Sequence, residues 1–89
     1  MVEVRFTPQL RRFTATPEVA CVAATLRQAL EAAFAANPRL RGYVLDDQGH
    51  VRPNVAIFID GRRCADAATQ TDALQPDSRV YVMQALSGG

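Results

Sequence analysis

Between Thr25 and Pro38 the chain carries one stretch with a clear helical period, and the segments around it read as strand or turn. Leu26, Ala29, Leu30, Ala33 and Phe34 fall at i, i+3, i+4, i+7 and i+8, which places them on one face of a helix. Thr25, followed three residues later by Gln28, has the capping-box pattern that starts a helix. Asn37-Pro38 ends it, because the residue before a proline is pushed out of the helical region. A single helix of roughly twelve residues cannot bury its apolar stripe alone and depends on tertiary packing. It has to lie on something.

The flanking segments supply a sheet. Val2, Val4 and Phe6 alternate with Glu3 and Arg5, the pattern of a half-buried strand that Thr7-Pro8 interrupts. Pro17 precedes a second short strand over Glu18–Val22, expected to pair with the first as a hairpin, with further pairing or a turn within Gln9–Phe13. Arg39–Leu45 has room for a further helical turn, Asp46-Asp47-Gln48-Gly49 is a turn by composition, and Val51 starts a short strand. Val55–Ile59 is the strongest strand, bounded by Pro53-Asn54 and Asp60-Gly61. Residues 62–75 read as a long polar connection, and Pro76-Asp77-Ser78 turns the chain into a last strand over Arg79–Ala85. The order β-β-α-β-β predicts an α+β domain: a mixed four- to five-stranded sheet with one main helix packed on one face.

Eighty-nine residues make one domain, able to fold without metal or disulfide. A charge of +1 selects no charged partner, and no basic stripe with interleaved aromatics suggests a nucleic-acid surface. No apolar run has the length of a membrane span, and no signal-peptide core opens the chain, so a cytoplasmic location is expected. Cys21 and Cys64 are too few and too distant for a metal-ligand pattern and read as reduced core residues. His50, beside Gly49, reads as a polar loop residue. No nucleophile–base pair and no phosphate-binding glycine loop is recognisable, so no catalytic residue and no metal ligand is assigned, and an enzyme is not expected.

The chain closes on Gly88-Gly89 directly after the last strand pattern. Without Cβ atoms this end is thin enough to enter a slot closed to any other residue, and it presents an unencumbered carboxylate. The expected division is a globular body over 1–85 and a flexible tail over 86–89, with the carboxylate of Gly89 as the working group. All ten basic residues are arginine, so the chain offers no side-chain amine to an acyl donor.

In order along the chain, several patterns resemble the MoaD/ThiS family of sulfur-carrier proteins, which have the ubiquitin-like β-grasp fold. They are the opening Val4-Arg5-Phe6 strand, the helix start Thr25-Leu26-Arg27-Gln28-Ala29-Leu30, and the strand and turn Arg52-Pro53-Asn54-Val55-Ala56-Ile57-Phe58-Ile59-Asp60-Gly61. The approach Leu74-Gln75-Pro76-Asp77-Ser78-Arg79-Val80 and the closing Gly88-Gly89 complete the set. Two positions depart from the family pattern. The glycine of its last turn is Asp77 or Ser78 here, and the final five residues are Ala85-Leu86-Ser87-Gly88-Gly89.

The resemblance implies that a ubiquitin-activating-type adenylyltransferase consumes ATP to adenylate Gly89. A sulfur donor (persulfide or sulfide) then displaces AMP and leaves a thiocarboxylate. The implied acceptors are pathways to molybdopterin, thiamin, cysteine, thiolated tRNA or a sulfur-containing metabolite. In the first case the chain would be the small subunit of a molybdopterin synthase, with its tail in the large subunit. No cofactor is expected to be bound.

Strand alternation turns Val55, Ile57, Ile59, Val80 and Val82 toward the helix and Phe58, Tyr81 and Met83 away from it. With Leu86 and Ser87 these form the expected partner-binding surface, framed by Arg62, Arg63 and Arg79. Two other functions fit the same end: a modifier joined through Gly89 to lysines of other proteins, and a non-covalent docking module. A β-grasp iron–sulfur protein is excluded, since such clusters take four cysteines and the chain has two.

Overall fold

The computed structural model describes residues 1–8, 10, 14–16 and 18–84. Strands β1 (Val2–Phe6) and β2 (Val19–Cys21) are followed by helices α1 (Leu26–Ala36) and α2 (Arg39–Val44), then by β3 (Val55–Ile59), β4 (Arg62–Arg63) and β5 (Arg79–Gln84). The five strands form one sheet in the order β2-β1-β5-β3-β4. β1 and β5 run parallel, with Val4 beside Val80 and Phe6 beside Val82, while every other pair is antiparallel. The mixed sheet with a main helix across one face is as the sequence predicts.

The helix face is also as expected: Leu26, Ala29, Leu30, Ala33 and Phe34 are the buried residues of α1. They join Val2, Val4, Phe6, Val55, Ile57, Val80 and Val82 in one core. The Thr25 hydroxyl accepts the Gln28 N–H at 3.3 Å, and Gln28 Oε1 reaches back to the Ala24 N–H at 2.7 Å. Two donors at the helix start are thereby satisfied reciprocally, which is the function of a capping box. At the other end the Asn37 N–H closes on Ala33 O at 3.1 Å, and its side-chain amide donates to Thr14 Oγ1 and Ala15 O.

Three local expectations need correction, whereas the further helical turn expected over Arg39–Leu45 is present as α2, which buries Leu40 and Val44 at i and i+4. It is fastened to α1 by Arg41, which pairs with Glu31 at 2.8 Å and lies 5.8 Å from the centroid of the Phe34 ring. Val51 forms an isolated bridge to Leu45 rather than a strand. Residues 62–75 are not a simple connection: Arg62 and Arg63 pair with Ile59 and Phe58. The hairpin turn between β3 and β4 holds Asp60 at φ 51 and Gly61 at φ 85, the two positive values that a two-residue type I′ turn requires. Lastly, Cys21 and Cys64 are free thiols but only half-buried, packed against the margin of the core.

The loop after β4 covers the start of α1. Carbonyls of Gln70 and Asp72 accept the N–H groups of Arg27 and Leu26, both at 2.9 Å. Gln70, fully buried with φ 53, also donates through its side chain to Gly49 O and Ala67 O. Of the segment Gln9–Phe13 only Leu10 is described; it is buried in the core.

Candidate functional site

The face of the sheet opposite α1 is built by strand parity. In β5, Val80, Val82 and Gln84 are buried, while Arg79, Tyr81 and Met83 alternate outward. Tyr81 is 38% exposed and Met83 41%. In β3, Val55 and Ile57 point to the core and Phe58 to the outer face, where it is half-buried; Ile59, expected inside, is also half-buried at the margin of the core. Register places Phe58 beside Tyr81 and Ala56 beside Met83. Phe58, Tyr81 and Met83 are therefore brought together as expected.

An apolar hollow of about 620 Å³ opens on this face. Thr7, Pro8, Pro53, Phe58, Met83 and Gln84 line it, so it adjoins the end of β5, where the chain continues toward its terminus. Leu86, Ser87, Gly88 and Gly89, the remaining expected site residues, lie with Ala85 outside the described residues.

The charged frame differs from the expectation. Arg63 lines the apolar hollow and Arg79 borders the strip, but Arg62, exposed and on the same side of the sheet as its register partner Ile59, lines with Arg63 and Asp72 only a separate polar hollow. Arg5 takes its place, because it sits beside Tyr81 in the parallel β1–β5 register. The alternation of β1 puts Arg5 opposite Val4 and Phe6, but a parallel neighbour from the far end of the chain leaves no local signal.

Asp60, at the β3–β4 turn, fixes the start of β5. Its carboxylate accepts the Arg79 N–H at 2.8 Å and the Ser78 hydroxyl at 2.9 Å, and these bonds hold its pKa below the usual carboxylate value. The Ser78 hydroxyl in turn accepts the Gln75 N–H at 2.8 Å. Ser78 is thus buried, with its hydroxyl both donating and accepting.

The remaining titratable groups offer little chemistry. Burial pushes the Cys21 and Cys64 thiols up, and Asp72 adds to the effect at Cys64, so both are weak nucleophiles at neutral pH. His50 is exposed in its turn, where its backbone N–H and carbonyl bond with Asp46. No group of three or more His, Cys, Asp or Glu side chains among the described residues is placed to hold a metal ion. No described helix is long and apolar enough to cross a membrane.

No family model matches the chain, and no curated protein matches it in sequence. Solved structures do. SAMP1 from Haloferax volcanii superposes with a TM-score of 0.76 at 23% identity, over 99% of this chain and 98% of that one. Small archaeal modifier protein 1 (SAMP1) from Methanosarcina acetivorans gives 0.78 at 18% identity, over 99% and 95%. The Haloferax volcanii HVO 2177 protein gives 0.70 at 26% identity, over 99% and 85%. The fold is the ubiquitin-like β-grasp. Within that β-grasp frame, β5 is a central strand, and Phe58, Tyr81 and Met83 lie on the open face of the sheet.

Proposed function

We propose that this protein is a sulfur carrier whose working group is the carboxylate of Gly89. The observation that carries the reading is the combination of a β-grasp body, whose central strand β5 runs beside an exposed apolar strip, with Gly88-Gly89 following that strand in the sequence. A free α-carboxylate, ionised above about pH 3.7, is a poor electrophile. An ATP-dependent adenylyltransferase of the ubiquitin-activating type converts it to the acyl-adenylate and releases pyrophosphate. Hydrosulfide then attacks the acyl carbon: a C–S bond forms, the C–O bond to AMP breaks, and loss of a proton leaves the thiocarboxylate. A persulfide donor gives an acyl disulfide instead, which a thiol reductant cleaves to the same product. The sulfur then passes to an acceptor enzyme, such as the large subunit of a molybdopterin synthase.

In this scheme the catalytic groups belong to the partners, and the chain contributes reach and recognition. Leu86–Gly89, extended, span at most about 14 Å, which suits insertion of the end into a buried nucleotide site while the body stays outside. Phe58, Tyr81, Met83, Leu86 and Ser87 are the surface the partner grips. An apolar patch of this kind, bordered by charge, is typical of a protein interface.

A second reading is favoured by two of the structural neighbours, which are small archaeal modifier proteins. A modifier uses the same activated Gly89 but delivers it to lysine amines. Incubation with ATP, a sulfide source and the organism's own adenylyltransferase separates the two. A carrier gains the mass of one oxygen replaced by sulfur, whereas a modifier appears as adducts on lysines of other proteins. Deletion of Gly89 abolishes either product, and a docking module gives neither.

A further inference from the structure

One line drawn across the outer face of the sheet passes through four strands. Arg5 of β1 is beside Tyr81 of β5, Tyr81 is beside Phe58 of β3, and Phe58 is beside Arg63 of β4. Two aromatic rings therefore sit side by side with an arginine at each end. Three inter-strand steps separate the two arginines, about 14 Å between their backbones.

Both guanidiniums are exposed. Arg63 has no ion pair among the described residues, and Arg5 makes a solvent-exposed, hence weak, ion pair and hydrogen bond at 3.3 Å with Glu3, which also faces Arg79 at 4.0 Å. Neither lies over an aromatic ring among the described residues, where the cation–π contact is that of Arg41 with Phe34. Arg5 and Arg79 thus share one glutamate at one end of the apolar strip, and Arg63 stands at the other end without an ion pair among the described residues.

We propose that this row is a docking site for a protein surface with an apolar centre and a carboxylate on each flank, spaced to meet Arg5 and Arg63. This rests on the reading that the activating adenylyltransferase grips the outer face, and it specifies the chemistry of the enzyme's matching surface. The aromatic pair fills the desolvated centre and supplies affinity. The flanking arginines steer approach and fix register, as charges at an interface rim do. Arginine suits such flanks because its planar fork binds a carboxylate through two parallel hydrogen bonds.

Adjacent aromatics on a sheet can also stack nucleic-acid bases. Here Glu3, Asp60 and Asp77 share a hollow with Phe58 and Tyr81 at the Arg79 end and would repel a phosphate backbone. A chain of charge +1 supplies no extended basic groove to offset that. The observations favour a protein partner.

The test is a binding measurement that needs no turnover. Full-length chain and the adenylyltransferase of the same organism are titrated by fluorescence anisotropy without ATP, at low and at physiological salt. Arg5→Glu/Arg63→Glu is expected to raise the Kd about tenfold or more, with a loss of salt dependence. Arg5→Gln/Arg63→Gln should give an intermediate value. A carboxylate-to-arginine change on the enzyme should restore binding of the Glu variant.

A Kd unchanged by these substitutions, or no binding by the wild-type chain, overturns the proposal. So does a single-stranded RNA 20-mer that binds tightly and is released by Arg63→Glu. Adenylation of Gly89, measured separately, reports on the carrier reading, so binding without activation contradicts that reading and leaves the docking row standing.

Discussion

Asp60 and Ser78, eighteen residues apart, are joined by a 2.9 Å hydrogen bond from hydroxyl to carboxylate. That bond ties the β3–β4 turn to the entry of β5, the last strand before the terminal glycines in the sequence. The same hydroxyl accepts the Gln75 N–H, and Ser78 N–H closes the turn on Gln75 O at 3.1 Å. Ser78→Ala removes both side-chain bonds at a buried position and leaves a backbone donor unpaired. A stability loss of about 1–3 kcal/mol is expected, read by urea denaturation. Ser78→Gly should be worse, since it adds backbone freedom to the same loss.

Acid should weaken the fold through three carboxylates. Asp60, Asp46 and Asp66 all have pKa values below the ordinary 3.8. The main causes are the Arg79 N–H, the His50 N–H and the Thr69 hydroxyl respectively. A depressed folded-state pKa gives stability that is present above the unfolded value and lost as pH falls through the folded one. Stability is therefore expected to hold from neutrality to about pH 4 and to fall below it. Asp60→Asn should reduce that acid slope, read by thermal denaturation between pH 2 and 6.

The core makes a plainer prediction. Leu30 is buried in the middle of the α1 stripe, against the sheet. Leu30→Ala should cost about 2–5 kcal/mol, the sum of lost transfer energy and a residual cavity. Equilibrium unfolding checks it. Arg27→Ala, exposed on the opposite side of the same helix, should change stability by less than about 0.5 kcal/mol.

Most of this architecture was legible because its signals are local. The α1 stripe, the Thr25–Gln28 cap and the Asp60-Gly61 turn each lie within a dozen residues, and the alternation in β3 and β5 placed Phe58, Tyr81 and Met83 correctly outside. What escaped was non-local. Two residues cannot show a strand period, so Arg62-Arg63 became β4 only because the type I′ turn folds them back on Ile59 and Phe58. The same hairpin register put Arg62, though exposed, on the helix side of the sheet and left Arg63 on the outer face. Arg5 entered the site through parallel pairing with a strand more than seventy residues away. The loop that caps α1 is organised by Gln70 and Asp66, polar residues with no periodic signature.

The exposed strip should be separable from stability. Met83→Asp places a charge on the outer face at a residue already 41% exposed, so folding should change by less than about 0.5 kcal/mol. Placed in a desolvated interface, the same charge is expected to raise the KM for the adenylyltransferase at least about tenfold. Tyr81→Ala should act similarly on KM, with a small stability cost of about 0.2–1 kcal/mol from its lost pairing with Phe58. Pyrophosphate-exchange kinetics beside thermal melts read both quantities.

The central claim is that Gly89 is the working group. Intact-protein mass spectrometry after incubation with ATP, sulfide and the organism's own adenylyltransferase tests it most directly. The expected result is a gain equal to one oxygen replaced by sulfur, located at the C-terminus and absent when Gly89 is deleted. An unchanged mass with an enzyme that binds the chain, or a gain that survives the deletion, would contradict the account.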